Sequence, residues 1–111
     1  MSRFLLITVS LTVLTLSISH AAIYKGQQIF VKKCLNCHDS GQAFVAQYKM
    51  SEWQNWMLNK GEPLSSVHLK SVKAEKSWEY FKSKKYISKS KHLKQFLVEY
   101  AKDSGKVPAC N

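Results

Sequence analysis

Two cysteines three positions apart, with a histidine directly after the second, stand in the stretch Cys34-Leu35-Asn36-Cys37-His38. Thiols at this spacing can each add across one of the two vinyl groups of a single porphyrin, giving two thioether bonds, and the adjoining imidazole is then held against the iron as an axial ligand. The stretch reads as a c-type haem attachment sequence. It predicts one covalent haem c on Cys34 and Cys37, with His38 as the proximal iron ligand.

Two other chemistries use paired cysteines. A zinc site needs a second close pair of thiols or imidazoles, whereas His68, His92 and Cys110 are scattered singly along the chain. A redox-active dithiol needs its cysteines at the end of a strand in a βαβ pattern, and no strand pattern precedes Cys34.

A low-spin electron carrier fills both axial positions of its iron, so a second ligand has to come from elsewhere in the chain. His68 shares an apolar helical stripe with Leu64 and Val72 and should point inward. It is the first candidate for the distal position. Met57, on the inward side of another helix beside two tryptophans, is the alternative, and Met50 could hang from the loop before that helix. His92 lies within a lysine run and is expected at the surface. The outcome matters electrochemically, because a methionine sulfur raises the potential of a haem and a second imidazole lowers it.

The elements that must position these groups read as helices. No hairpin dipeptide or sustained period of two appears after the first twenty or so residues, while spacings of three and four recur. Ile23, Gly26, Phe30, Cys34 and Cys37 share one face of a first helix, with Gly26 where another backbone can approach closely. A second helix is expected from a Ser51 cap, with Gln54 completing a capping box, to Lys60-Gly61 ahead of Pro63. A third runs from about Leu64, a fourth carries Ala74, Trp78, Phe81 and Lys85, and a last one aligns Leu93, Phe96, Leu97, Tyr100 and Ala101 before Ser104-Gly105. The expected fold class is therefore all-α, a small domain of four to five helices around one haem. Trp53, Trp56, Trp78, Phe30, Phe44, Phe81 and Phe96 could wall the flat group, and Tyr48 with Lys49 could meet a propionate.

The N-terminus carries one positive charge at Arg3, an apolar stretch over residues 4–18, and a small-x-small pattern at Ser19 and Ala21. That arrangement describes a secretory signal peptide over residues 1–21, cleaved after Ala21 or Ala22, and the apolar run is shorter than the roughly 20 residues of a spanning helix. Residues 22–111 then form the mature domain, with no spanning helix, and the expected compartment is the periplasm. Its size, about 90 residues, is near the limit at which a core is stable unaided, so a buried porphyrin would add needed apolar surface.

The whole chain has 17 Lys and Arg against 7 Asp and Glu, a formal charge of +10. Lys82, Lys84, Lys85, Lys89, Lys91 and Lys94 follow one another with no acidic residue between them. A solvated face is the plain reading of such a run; on a redox carrier it would also steer the molecule towards an acidic docking surface on a partner. Nucleic acid is a poor partner for an exported protein.

With Gly26, Phe30 and the 34–38 stretch at one end, and Leu93, Phe96, Leu97 and Tyr100 at the other, the chain resembles the small class I monohaem cytochromes c. The resemblance implies that the first and last helices cross closely, Gly26 and Phe30 meeting Phe96 or Tyr100. Members of that family usually carry a methionine ligand in the loop before the final helix, and residues 58–92 contain none. The implied activity is electron transfer between redox partners. Service as the small haem subunit of a larger redox enzyme, or as a ligand-binding haem protein with an open sixth position, are the alternatives. Cys110 has no partner once haem takes the other two thiols, which allows a disulfide dimer.

Overall fold

The fold was analysed in a computed structural model that describes residues 20–107. Most of the expected signal segment, and Cys110, lie outside those residues; Ala21 and Ala22 belong to the first described turns of a helix. The described residues are all-helical. Helix α1 covers residues 20–33, and α2 (Gln42–Val45), α3 (Met50–Trp56) and α4 (Leu58–Leu69) follow. A 3₁₀ segment (Val72–Ser77) leads into α5 (Trp78–Lys82), and α6 (Lys84–Glu99) closes the domain. None of these helices is long and apolar enough to cross a membrane.

The crossing of α1 and α6 organises the fold. A methyl group added at Gly26 would lie 2.0 Å from the His92 carbonyl oxygen and 2.7 Å from Phe96 Cβ, so the two helices touch backbone to backbone there. One turn further along α1, the ring of Phe30 packs at 5.4 Å on that of Phe96, and both side chains are almost wholly buried. Glycine is required by the closeness of approach and not by its backbone angles. The crossing sets where α1 ends, and its last turn delivers the cysteine stretch.

Helix α1 stops at residue 33, earlier than the shared face of Ile23 to Cys37 predicts. The amide of Leu35 reaches back to Phe30 O at 3.3 Å, one residue beyond helical register, and His38 N–H then closes a turn on Cys34 O at 2.9 Å. This tightened turn replaces another helical turn. It leaves Cys34 partly buried and Cys37 exposed.

Helix α3 begins one residue before the expected cap. Lys49 is the N-cap, its amide donating to Glu52 Oε1 at 3.1 Å, while the Met50 amide donates to Asp103 Oδ1 at 2.8 Å. A carboxylate from the far end of the chain thus does what Ser51 was expected to do, and carboxylates are the stronger acceptors at a helix start. The same tail explains why α6 ends at Glu99, short of Ser104-Gly105: Lys102 N–H donates to Tyr48 O at 2.9 Å, which the chain can reach only by leaving the helix.

The second expected boundary holds in substance. Asn59, Lys60 and Gly61 take positive φ values of 48, 57 and 79°, breaking the helical path between α3 and the regular part of α4, with Pro63 in the new first turn. This break is pinned from α6, because the buried Tyr86 hydroxyl donates to Gly61 O at 2.6 Å. Tyr86→Phe strands that carbonyl and is expected to cost about 1–2 kcal/mol, read as a lower urea midpoint at unchanged slope. An unaltered midpoint would mean that the bond contributes nothing.

Helix α6 is longer at its start than the sequence stripe suggests. Ser83 caps it, its Oγ accepting from Tyr86 N–H at 3.2 Å, and Tyr86, Ser90, Leu93 and Leu97 are buried along it. Lys84, Lys85, Lys89 and Lys91 of the lysine run lie on the exposed face of this helix, while Lys82 ends α5.

Candidate functional site

The core cavity, of about 390 Å³, opens directly beside the cysteine stretch. Cys34, Cys37 and His38 line it from the turn after α1, and His68 lines it from α4 on the opposite side. Its volume falls in the roughly 300–1,000 Å³ range of cofactor sites. Phe30, Phe44, Trp53, Trp56 and Phe81 supply an aromatic wall, with Leu64, Leu93 and Leu97 completing the apolar lining.

The two histidines face each other in a specific relation. Their ring centroids are 6.1 Å apart and their planes are inclined by 80°, an edge-on relation rather than a stacked one. A metal–imidazole bond is about 2 Å long, which puts each ring centre roughly 3 Å from the metal and two opposed rings roughly 6 Å apart. The spacing suits one iron held between them.

Each ring is fixed by a neighbour. His38 stacks on Phe44 at 4.0 Å, and His68 stacks on Phe81 at 4.3 Å. His68 Nδ1 lies 2.7 Å from Leu64 O; with the proton on Nδ1 it donates to that carbonyl and leaves Nε2 as the free ligand atom. A carbonyl bond of this kind is made by His68 and not by His38. The backbone of His68 is itself tied down, since Trp78 Nε1 donates to its carbonyl oxygen at 2.8 Å. Trp53 Nε1 similarly donates to Val45 O at 2.9 Å, locking the opposite wall.

Burial, and to a lesser extent His68, holds the imidazole of His38 below its usual pKa, which favours the neutral form that ligates metals. Burial pushes the Cys34 thiol up to about 12, with Cys37 adding to the shift. As a free thiol Cys34 is therefore protonated and inert at neutral pH. No Asp or Glu lines the cavity, and Asp39, next to His38, is exposed outside it.

Met57 is buried but does not line the cavity; its methyl end lies beside Gly61, 3.1 Å from where a Cβ would stand. Met50 opens α3 and packs its side chain against the core, and neither methionine lines the cavity. His92 sits at the α1–α6 crossing, away from the cavity. Of the expected aromatic wall, Trp78 and Phe96 serve elsewhere: Trp78 anchors His68, and Phe96 joins Phe30 and Tyr100 in the crossing. Val72, placed on the His68 stripe by the sequence, is outside α4 and 77 % exposed, because that helix ends at Leu69.

Tyr48 lines the cavity, but Lys49 does not. The cations at the site are Lys33 and Lys73, with Ser71 and Ser77 beside the latter. No sequence signal singles out those two in so lysine-rich a chain.

Among the described residues no three of His, Cys, Asp and Glu converge into a cluster able to hold a bare metal ion. A porphyrin brings four of the six ligands of its iron, so two opposed imidazoles complete the set. The donor set and the apolar lining fit a haem. No family model, curated protein or solved structure matches the chain.

Proposed function

We propose that the protein is a monohaem c-type cytochrome that passes single electrons between redox partners outside the cytoplasmic membrane. Cys34 and Cys37 would hold the porphyrin through two thioethers, and His38 and His68 would hold its iron. The observation that carries the reading is that both thiols and two opposed imidazoles line one apolar cavity, with the imidazoles spaced for a single metal. The close Gly26 crossing and the Phe30–Phe96 contact agree with the arrangement that the resemblance to class I cytochromes implies.

The bound group supplies reversible one-electron chemistry at its iron. The chain does the rest. Phe44 and Phe81 hold the two imidazoles in place, so that little of the site has to move when the charge on the metal changes. Phe30, Trp53, Leu93 and Leu97, all close to fully buried, keep water from the inner side. Lys33 and Lys73 stand where propionate carboxylates can pair with them. The absence of carboxylates from the cavity lining favours electron transfer over acid–base catalysis. The exposed lysines of α6 suit an acidic docking surface on the partner.

Mass spectrometry of the denatured protein, purified from a host that attaches haem to exported proteins, tests the reading. The expected mass is that of the processed polypeptide plus one haem, with a pyridine haemochrome of the thioether-linked type. A bare polypeptide mass with no haemochrome from such a host would overturn it.

A further inference from the structure

A second cavity, of about 280 Å³, lies between α1 and α6 on the outer side of the helix crossing. Lys25, Lys32 and Lys33 line it from α1, and Lys85, Lys89 and His92 line it from α6; no acidic residue borders it. The spacing follows from the helical repeat, with positions 25, 32 and 33 on one flank of α1 and positions 85, 89 and 92 on one flank of α6. Two rows of like charge therefore face one groove.

Like charges gathered across a groove repel, and proteins ordinarily relieve this with carboxylates. Here no such relief is present: among the described residues the one salt bridge is between Lys106 and Glu99, away from the groove. Lys33 finds only the face of the Tyr80 ring, 5.5 Å away. His92 borders the same groove. Its Nδ1 is the one buried side-chain nitrogen or oxygen without a hydrogen-bond partner among the described residues. Burial, and then the charges of Lys25, Lys91 and Lys89, hold this imidazole below its usual pKa against a hydrogen bond with Gln95.

We infer that the groove between α1 and α6 is a binding site for a phosphate-bearing anion, held by Lys25, Lys32, Lys85 and Lys89. Four ammonium groups that can turn to suit their ligand fit a compact oxyanion with several charges better than a single carboxylate. The cavity is large enough for a diphosphate group, and Ile29 and Tyr80 form its apolar floor beneath the ammonium groups. A free phosphate compound and a phospholipid headgroup offer the same chemistry. Lys33 borders both cavities and is left to the haem site, so the groove's own lysines do not depend on haem.

Isothermal titration of the purified full chain with inorganic pyrophosphate, beside cosedimentation with phosphatidylglycerol vesicles and with phosphatidylcholine vesicles, tests the inference. The groove variant is Lys25→Gln with Lys89→Gln. The charge-matched control is Lys76→Gln with Lys102→Gln, two exposed lysines outside the groove. Pyrophosphate should bind at one site, and the groove variant should weaken it at least about tenfold while the control changes it less than about threefold. If the ligand is a headgroup, phosphatidylglycerol vesicles alone show this difference and pyrophosphate does not bind. Equal losses in the two variants, or no binding to either probe, would overturn the inference. The readout is binding, so it stands or falls separately from the haem content measured above.

Discussion

His68→Ala, introduced into the haem-loaded protein, is expected to convert a low-spin visible spectrum almost completely to a high-spin one and to let the reduced form bind carbon monoxide. The reason is positional. His68 lines the cavity with His38, its Nδ1 bonded to Leu64 O and its ring stacked on Phe81, so on the proposed reading its removal would take one protein ligand from the iron without disturbing the thiols. Met57→Ala serves as the comparison, since Met57 packs beside Gly61 and does not line the cavity. It should lower stability by about 2–4 kcal/mol and leave the spectrum unchanged. His68→Met should retain a low-spin haem and raise the midpoint potential by roughly 0.1–0.2 V, a part of the ~0.8 V range that axial ligands command. A low-spin spectrum surviving in His68→Ala and lost in Met57→Ala would transfer the ligand role to the sulfur.

Gly26→Val is expected to have the largest effect on the fold. The first added carbon alone would meet the His92 carbonyl oxygen at 2.0 Å, and that oxygen belongs to the backbone of α6 and cannot swing aside. The helices must therefore separate, which also opens the Phe30–Phe96 contact. Overpacking costs typically 1–3 kcal/mol where side chains can adjust; between two backbones we expect about 3 kcal/mol or more. In a domain of this size that lowers the melting temperature by roughly 12–24 °C. Thermal unfolding followed by circular dichroism measures it. A loss of less than about 1 kcal/mol would mean that the helices are not in direct contact at Gly26.

The distance between what the sequence implies and what the fold does is instructive at particular residues. Local spacing was enough for Gly26, because a small residue on an apolar stripe has few uses besides a close crossing, and for the α3–α4 break at Lys60-Gly61 ahead of Pro63. It failed where a distant group intervenes. Ser51 is a good cap by type, yet Asp103, 53 residues from Met50, reaches the helix start. The early start of α6 was hidden because Ser90 is small and polar but buried, leaving Tyr86 and Leu93 too far apart to be seen as one stripe. Val72 was misplaced because a stripe carries no mark of where its helix ends.

The chain by itself determined the class of the fold and the chemistry on offer: helical periodicity is a local property, and the reactive stretch at Cys34, Cys37 and His38 lies within five consecutive residues. For the distal position it left His68 first, with Met57 and Met50 as alternatives, since His68 and Met57 both lie on inward faces. Only the tertiary structure places His68 on the cavity and Met57 outside it, because the separation between groups on α4 and the turn after α1 depends on how the helices pack and not on their own repeats. The same packing turned lysines from two distant segments into the opposing walls of one groove. Charge is written in the sequence, but where charges meet is set by the crossing at Gly26.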